Sequence, residues 1–167
     1  MLAAMIYELT GDLLLSQAQA IAHGVAPNDH FDSGLALSLR QDWPALHKDF
    51  RHFCHTSHPK PGTLWVWTRA DGRRIINLFT QEPAPDEHSH PDRASLSNVN
   101  HCLRELHRFL AAEKIASLAL PRLASGVGGL KWEEVRPLIQ SHLGTLKIPI
   151  LIYATFKKGV KAPEPAH

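Results

Sequence analysis

The chain has 167 residues, 44% of them hydrophobic and 20% charged, which is enough for one globular domain with a sizeable core. Its formal net charge of +2 does not suggest a polyanion-binding protein, because such binding needs cations clustered on one face. Cys54 and Cys102 form no CxxC pair, which favours reduced thiols and a cytoplasmic location. We expect no membrane segment and no signal peptide, because no apolar run is long enough.

The first half of the chain alternates strand-like and helix-like segments. In chain order it predicts a strand at 5–9, a short helix at 13–19, a buried strand at 20–23, a helical segment at 35–53 and a hairpin of strands at 63–68 and 74–80. Turn-forming residues fill the loop at 24–34. Pro44 must begin a second helix or kink the first.

The second half begins with a polar stretch at 81–97, which is too long for a passive connector and indicates a binding loop or a disordered excursion. An amphipathic helix is predicted at 98–112, a buried strand at 117–120, a helix at 133–143 and a last strand at 148–156. Pro137 suggests that the regular part of the helix at 133–143 begins near Glu134. This order of elements favours an α/β fold with a mixed sheet and helices on both faces.

The segment PRLASGVGGL, residues 121–130, carries the strongest chemical signal. It joins a buried strand to a helix and contains three glycines. Glycine allows positive φ and a close approach of ligand to backbone. Successive amides beside a helix start suit a diphosphate. The spacing matches neither GxGxxG nor GxxxxGK[ST], and a segment of this kind, taken alone, is more often a tight strand-to-helix connection than a ligand site.

Three further segments accompany this loop, namely YELTGDL at 7–13, AHGVAPN at 22–28 and SGLA at 33–36. In order and spacing, all four resemble the macrodomain family, and most of all its branch with DarG-type and terminal ADP-ribose glycohydrolase macrodomains. The resemblance covers residues 5–156. It implies a three-layer α/β/α sandwich with a mixed central sheet, a single domain at 1–156 and ADP-ribose across the carboxyl ends of the strands. We expect 157–167 to form a flexible tail.

The resemblance also implies the residues that bind ADP-ribose. Asp12 would accept a hydrogen bond from adenine beside Leu13, although a turn aspartate that caps the next helix is the alternative. Tyr153 or Phe156 would pack on adenine, or be simply core. The diphosphate and distal ribose would lie along the first loop, at His23, Gly24, Val25, Asn28, Ser33, Gly34 and Leu35. The phosphates would be wrapped from the other side by Thr80, Pro121, Ala124, Ser125, Gly126, Val127, Gly128 and Gly129.

The implied activity is hydrolysis of an ADP-ribosyl bond by water attack at C1″ of the distal ribose, and the alternative is a non-catalytic reader of ADP-ribose. Relatives of this branch carry a lysine where this chain has Gln81 and, in the human-type enzyme, an aspartate where it has Gly128. Glutamine forms no Schiff base and glycine is no base, so that mechanism is unsupported here. Candidate helpers at the reacting bond are Gln81, Glu82, Asp29, His30 and Asp32, each of which also fits a surface loop.

A cluster of His52, Cys54, His55 and His58 invites comparison with a zinc site, but it lacks a second ligand group at zinc-finger spacing. We therefore expect no metal and no cofactor. The expected partners are ADP-ribose and ADP-ribosylated protein or DNA, with the chain itself a monomer.

Overall fold

A computed structural model of the chain describes residues 5–86, 89, 93–126 and 128–165. The strands are β1 (Ile6–Gly11), β2 (Ala20–Val25), β3 (Leu64–Thr68), β4 (Arg74–Phe79), β5 (Leu118–Pro121) and β6 (Ile150–Phe156). The helices are α1 (Gly34–Asp42), α2 (Pro44–Ser57), α3 (Leu96–Ala112) and α4 (Trp132–Leu143), with a 3-10 turn at Leu13–Leu15. In the part of the chain that the structure describes, no helix is long and apolar enough to cross a membrane.

The strands form one six-stranded sheet in the order β1-β6-β5-β2-β4-β3. Every neighbouring pair is parallel except the β3–β4 hairpin. The predicted mixed sheet is therefore confirmed. Because β1, β6, β5, β2 and β4 run in one direction, their carboxyl ends meet at the same edge of the sheet.

Helices cover both faces of this sheet, which confirms the three-layer arrangement. On one face, α3 and α4 pack over the apolar side chains of the central strands, and Leu103, Leu106 and Ile139 are fully buried there. On the other face, α1 and α2 enclose an aromatic cluster around Phe50 and Phe79. Pro44 begins α2 at its first position, where its missing N–H would have no partner in any case.

Two predicted helices differ from what the structure shows. The helix predicted at 13–19 is a single 3-10 turn, because Ser16 adopts an extended conformation and its Oγ accepts from Ala18 N at 3.1 Å. The helix α4 begins at Trp132 rather than near Glu134 and carries Pro137 inside it. That proline is exposed, so water can reach the carbonyl left without its partner.

The segment expected to be a flexible tail packs against the domain over its described part, residues 157–165. Asp12 N donates to Val160 O at 2.7 Å, and Ala162 is buried. Glu164 accepts from Ser16 Oγ at 2.7 Å and from Gln17 N at 3.0 Å. The physical reason is that these groups supply hydrogen-bond partners to polar atoms on both sides of the 3-10 turn.

Candidate functional site

The edge where the parallel strands end carries a cavity of about 400 Å³. It lies between the 3-10 turn, the start of α1 and the ends of β5 and β6. Six of the predicted ligand-binding residues line it, namely Leu13, Gly34, Leu35, Pro121, Tyr153 and Phe156. Most of this lining is apolar, which suits the flat faces of an aromatic base.

Leu14 and Ser38 also line the cavity and were not predicted. Ser38 stands four residues after Gly34 in α1, so the helical period alone places both on one face. Leu14 follows a predicted residue directly within the 3-10 turn. Both could have been found by extending the predicted contacts through one helical turn.

Asp12 lies beside the cavity and is almost fully buried. One carboxylate oxygen, Oδ1, accepts from Leu14 N at 3.0 Å and so caps the 3-10 turn. The other, Oδ2, accepts from Gly159 N at 2.9 Å. The structural role weighed for this residue is therefore present. Each oxygen keeps a second lone pair, so a hydrogen bond from adenine stays a prediction.

The first loop, residues 26–33, leads from β2 to α1 and turns on Asp29. Asp29 accepts from Ala26 N at 3.1 Å through Oδ2 and from Phe31 N at 2.9 Å through Oδ1. Asn28 is exposed at φ 60°, and its N–H donates to Cys54 Sγ at 3.5 Å. Asn28, Asp32, Ser33 and Gly34 are all exposed.

His23 lies in β2 and has only 2% of its surface exposed. Its Nε2 donates to Asn77 Oδ1 at 2.6 Å, and its ring stands edge-on to Phe31. Burial lowers the pKa of His23, so the imidazole is held neutral. Val25 is buried in the same core, so the side chains of both residues are packed into the interior and do not line the cavity.

Thr80 follows β4 and is fully buried. Among the described residues, its Oγ1 is the one buried side-chain oxygen or nitrogen without a hydrogen-bond partner. It lies close to Gly24, where an added Cβ would come within 2.6 Å of Oγ1. An unpaired buried hydroxyl costs about 1–3 kcal/mol, which a ligand or bound water could recover.

The second loop, residues 122–131, leads from β5 to α4. Backbone bonds close it on itself, from Gly129 N to Gly126 O at 3.1 Å and from Leu130 N to Ala124 O at 3.0 Å. An added Cβ at Gly128 would lie 2.6 Å from Ala124 O, whereas one at Gly126 would meet nothing within 4 Å among the described residues. Gly126 is exposed, so its surface is free to contact a ligand. Val127 lies outside the described residues.

The segment after β4 closes against the second loop. Gln81 forms an isolated bridge with Ala94, and Ala94 N donates to Gly128 O at 3.0 Å. Gln81 is 5% exposed. Glu82 accepts from Asn98 Nδ2 at 2.9 Å. The base of the predicted binding loop is therefore joined to both α3 and the second loop.

The docked tail holds the aromatic wall of the cavity. Tyr153 donates its hydroxyl to Glu164, and burial together with this carboxylate raises the pKa of Tyr153 well above its usual range. Phe156, at the end of the same strand, is 62% exposed. The two rings thus form one fixed wall and one exposed wall of the cavity.

The histidine and cysteine cluster on α2 divides between two environments. Cys54 faces the core, where burial raises its thiol pKa, whereas His52 and His55 are exposed. Within the described ranges, no group of three or more histidine, cysteine, aspartate or glutamate side chains is placed to hold a metal ion.

Comparisons with known proteins agree with this geometry. The chain is 26% identical over 162 residues to a DNA ADP-ribosyl transferase-DNA ADP-ribosyl glycohydrolase fusion protein of Thermosipho africanus, covering 90% of this chain and 42% of that protein. It is 24% identical over 144 residues to the ADP-ribose glycohydrolase OARD1 of Homo sapiens, covering 86% and 87%. The chain therefore spans about two-fifths of the Thermosipho relative and most of the human one.

The fold matches solved structures of the same kind. The macrodomain of Mycobacterium tuberculosis DarG superposes with a TM-score of 0.78 at 26% identity, over 90% of this chain and 97% of that one. The family model described as Macro domain matches residues 44–139, more than half of the chain. The chain belongs to the Macro domain family.

Proposed function

We propose that the chain binds ADP-ribose at the carboxyl edge of its sheet and hydrolyses the glycosidic bond that joins the distal ribose to a modified protein or DNA. The cavity of about 400 Å³, open between the ends of β5 and β6 and the start of α1, carries this proposal. The names of the relatives, which describe ADP-ribosyl glycohydrolases, support it.

In this proposal adenine occupies the cavity, packed between Leu13 and the rings of Tyr153 and Phe156. Asp12 lies beside the 3-10 turn, where a spare lone pair can accept from the adenine amino group. The diphosphate lies between the two loops. It is bound there by backbone amides and the start of α1 rather than by lysines. Arg93, which donates through Nη2 to Gly129 O at 3.4 Å, lies beside the second loop.

The distal ribose then reaches the region of Asn28, Thr80 and Gln81. A water molecule attacks C1″ and gives up a proton, the new C–O bond forms as the glycosidic bond breaks, and the leaving group takes up a proton, so that no net proton is consumed. Gln81, Glu82 and Asp32 are the proposed helpers. Thr80 supports the placement, because its buried hydroxyl still lacks a partner among the described residues.

The test measures ADP-ribose binding by calorimetry and release of ADP-ribose from modified single-stranded DNA and from modified protein. We expect both binding and release. The variants Glu82→Gln and Asp32→Asn are compared with the control Asp42→Asn, at the exposed end of α1. A substitution that lowers kcat without changing the affinity for ADP-ribose identifies a carboxylate that contributes to hydrolysis.

Binding without release from any linkage would contradict hydrolysis and leave the reader function, which the replacement of the relatives' lysine and aspartate by Gln81 and Gly128 also favours. No binding would contradict both. We place this activity in the cytoplasm, a proposal that the two buried free cysteines support.

A further inference from the structure

A second depression, of about 710 Å³, lies between α1 and α2. The helix α1 borders both depressions but with different residues, since Gly34, Leu35 and Ser38 line the cavity and Leu37, Arg40 and Gln41 line this groove. We call it the α1–α2 groove. A macromolecule seated in it would therefore lie one helix width from the proposed ADP-ribose site.

The groove is basic along its whole length. Its described lining holds three cations and three imidazoles, at Arg40, His47, Lys48, Arg51, His52 and His55, and no aspartate or glutamate. Five of these residues lie on α2, at positions 47, 48, 51, 52 and 55. They form one stripe, about 12 Å long, along the surface of that helix. The low net charge of the chain thus conceals a clustered basic face.

Of the carboxylates near this face, Asp29 accepts from the N–H groups of Ala26 and Phe31 in the first loop, although its charge still acts on His47. Asp49, on the same helix, accepts from Trp67 Nε1 at 2.9 Å and so is directed towards β3. Burial lowers the pKa of His47, the hydrogen bond to Asp29 O and the Asp29 charge oppose this, and the guanidinium groups of Arg40 and Arg51 lower it further, which is consistent with two arginines beside one imidazole. Arg40 also donates through Nη1 to His30 O at 3.1 Å, which joins the groove to the first loop.

We infer that the α1–α2 groove binds the sugar-phosphate backbone of a single-stranded nucleic acid whose base carries the ADP-ribosyl group; this inference rests on the proposed function. Guanidinium groups bind phosphates bidentately, and exposed imidazoles such as His52 and His55 can stack on unpaired bases. Protein partners instead favour a buried aromatic anchor, and the described lining holds no phenylalanine, tyrosine or tryptophan.

Three phosphate contacts set the size of the expected effect. The logarithm of affinity for a single strand falls with the logarithm of salt concentration with a slope of about −0.7 per neutralised phosphate, so three cations predict a slope of about −2. Affinity should then fall roughly 20-fold between about 50 and 200 mM salt. Loss of two cations should remove about two-thirds of this slope.

The test uses the full chain and a fluorescent, unmodified single-stranded oligonucleotide, with anisotropy read at two salt concentrations. We expect Lys48→Glu/Arg51→Glu to weaken binding at least tenfold at low salt. The matched control is Arg104→Glu/Lys147→Glu, which changes the net charge equally at exposed positions on the opposite side of the sheet, in α3 and before β6. Lys48→Gln/Arg51→Gln, with a milder expected loss, serves if charge reversal lowers thermal stability.

Activity and ADP-ribose affinity separate this inference from the proposed function. The groove variant should keep the calorimetric affinity for free ADP-ribose, raise KM for modified single-stranded DNA and leave release from modified protein unchanged. Equal binding by groove variant and control, or no salt-dependent binding by the unaltered chain, would overturn the inference even if ADP-ribose binds. A raised KM for modified protein alone would also overturn it, in favour of an acidic protein partner.

Discussion

The two loops that flank the proposed diphosphate site are held in different ways. The first loop is fixed by side chains, since Asp29 accepts two of its backbone N–H groups and Phe31 is fully buried. The ring of Phe31 lies 4.8 Å from that of Phe50 and 5.0 Å from that of His47, between centroids. The second loop buries Leu123 at its start, but beyond Leu123 it is held mainly by main-chain hydrogen bonds, including the one from Ala94 N to Gly128 O, and Gly128 leaves no room for a Cβ.

This difference indicates how each loop can fail. The first loop shares its anchor with the core, so removing a side chain there should lower global stability. The second loop depends more on main-chain geometry. The effect on stability of adding a side chain there should therefore depend on the space around the glycine that is replaced. Substitutions in the second loop should therefore change either ligand affinity or stability alone more readily than substitutions in the first loop.

The largest effect is expected from Phe31→Ala. Phe31 fills the centre of the aromatic cluster from a backbone φ of 52°, which a bulky residue adopts only when packing compensates. Its truncation should lower the free energy of unfolding by about 3–5 kcal/mol. Urea denaturation measures this change.

The control for that prediction is Phe156→Ala, which removes a ring that is 62% exposed. It should cost about 1 kcal/mol or less in stability but weaken ADP-ribose binding, because the same ring lines the cavity. Equal destabilisation by the two substitutions would show that the first loop is not anchored through Phe31.

The next effect concerns the glycines of the second loop. Gly126→Val should weaken ADP-ribose binding at least tenfold, about 1.4 kcal/mol, with little change in Tm, because an added Cβ there meets no atom within 4 Å in the part of the chain that the structure describes. Gly128→Val should lower stability by about 1–3 kcal/mol, because its Cβ would lie 2.6 Å from Ala124 O. Calorimetry and thermal melting give both values. Normal ADP-ribose binding by Gly126→Val would refute the placement of the phosphates.

The smallest effect should come from pH. Burial lowers the pKa of both His23 and His47, which pack on Phe31 behind the first loop. The unfolded chain binds these protons more readily than the folded one. Their contribution is therefore fully present above the unfolded pKa of about 6.5 and is lost as pH falls below it, by at most about 1.4 kcal/mol per pH unit for each group.

Hydrogen exchange at pH 7.5 and pH 5.5 locates this effect. Amides of the first loop should lose protection before those of the second loop, which holds no histidine. The pKa of His142, between α3 and α4, is lowered in the same way, so global stability alone would not distinguish the regions. Protection that falls equally in both loops would contradict the predicted difference.

Much of the fold could be predicted from the sequence, because local periodicity carries it. The apolar positions of α3 at Val99, Cys102, Leu103, Leu106 and Leu110 are the ones that the structure buries. The predicted strands agree with the observed ones to within about two residues at each end, where the regular pattern of a strand gives way to the adjoining turn. The order of the glycine motifs indicated the family, and the family model agrees.

The cavity was only partly predictable. Leu13 is far from Tyr153 and Phe156 in the chain, yet all three line one cavity, and their contact with adenine stays a prediction. The interior position of His23 was not evident, because its partner Asn77 is 54 residues away on a neighbouring strand. The sequence does not distinguish a polar residue beside a glycine motif that faces the ligand from one that faces the core.

The sequence by itself determined which segments form the strands and the four longer helices, and which motifs stand at strand ends, because both depend on neighbours a few residues apart. Tertiary structure alone decided the position of β6 in the sheet, the docking of residues 157–165 beside the 3-10 turn, and the clustering of Arg40, Lys48 and Arg51 in one basic groove. These features depend on pairing and desolvation between distant segments. The net charge of +2 cannot reveal the basic groove, because it sums the charges over all faces of the molecule.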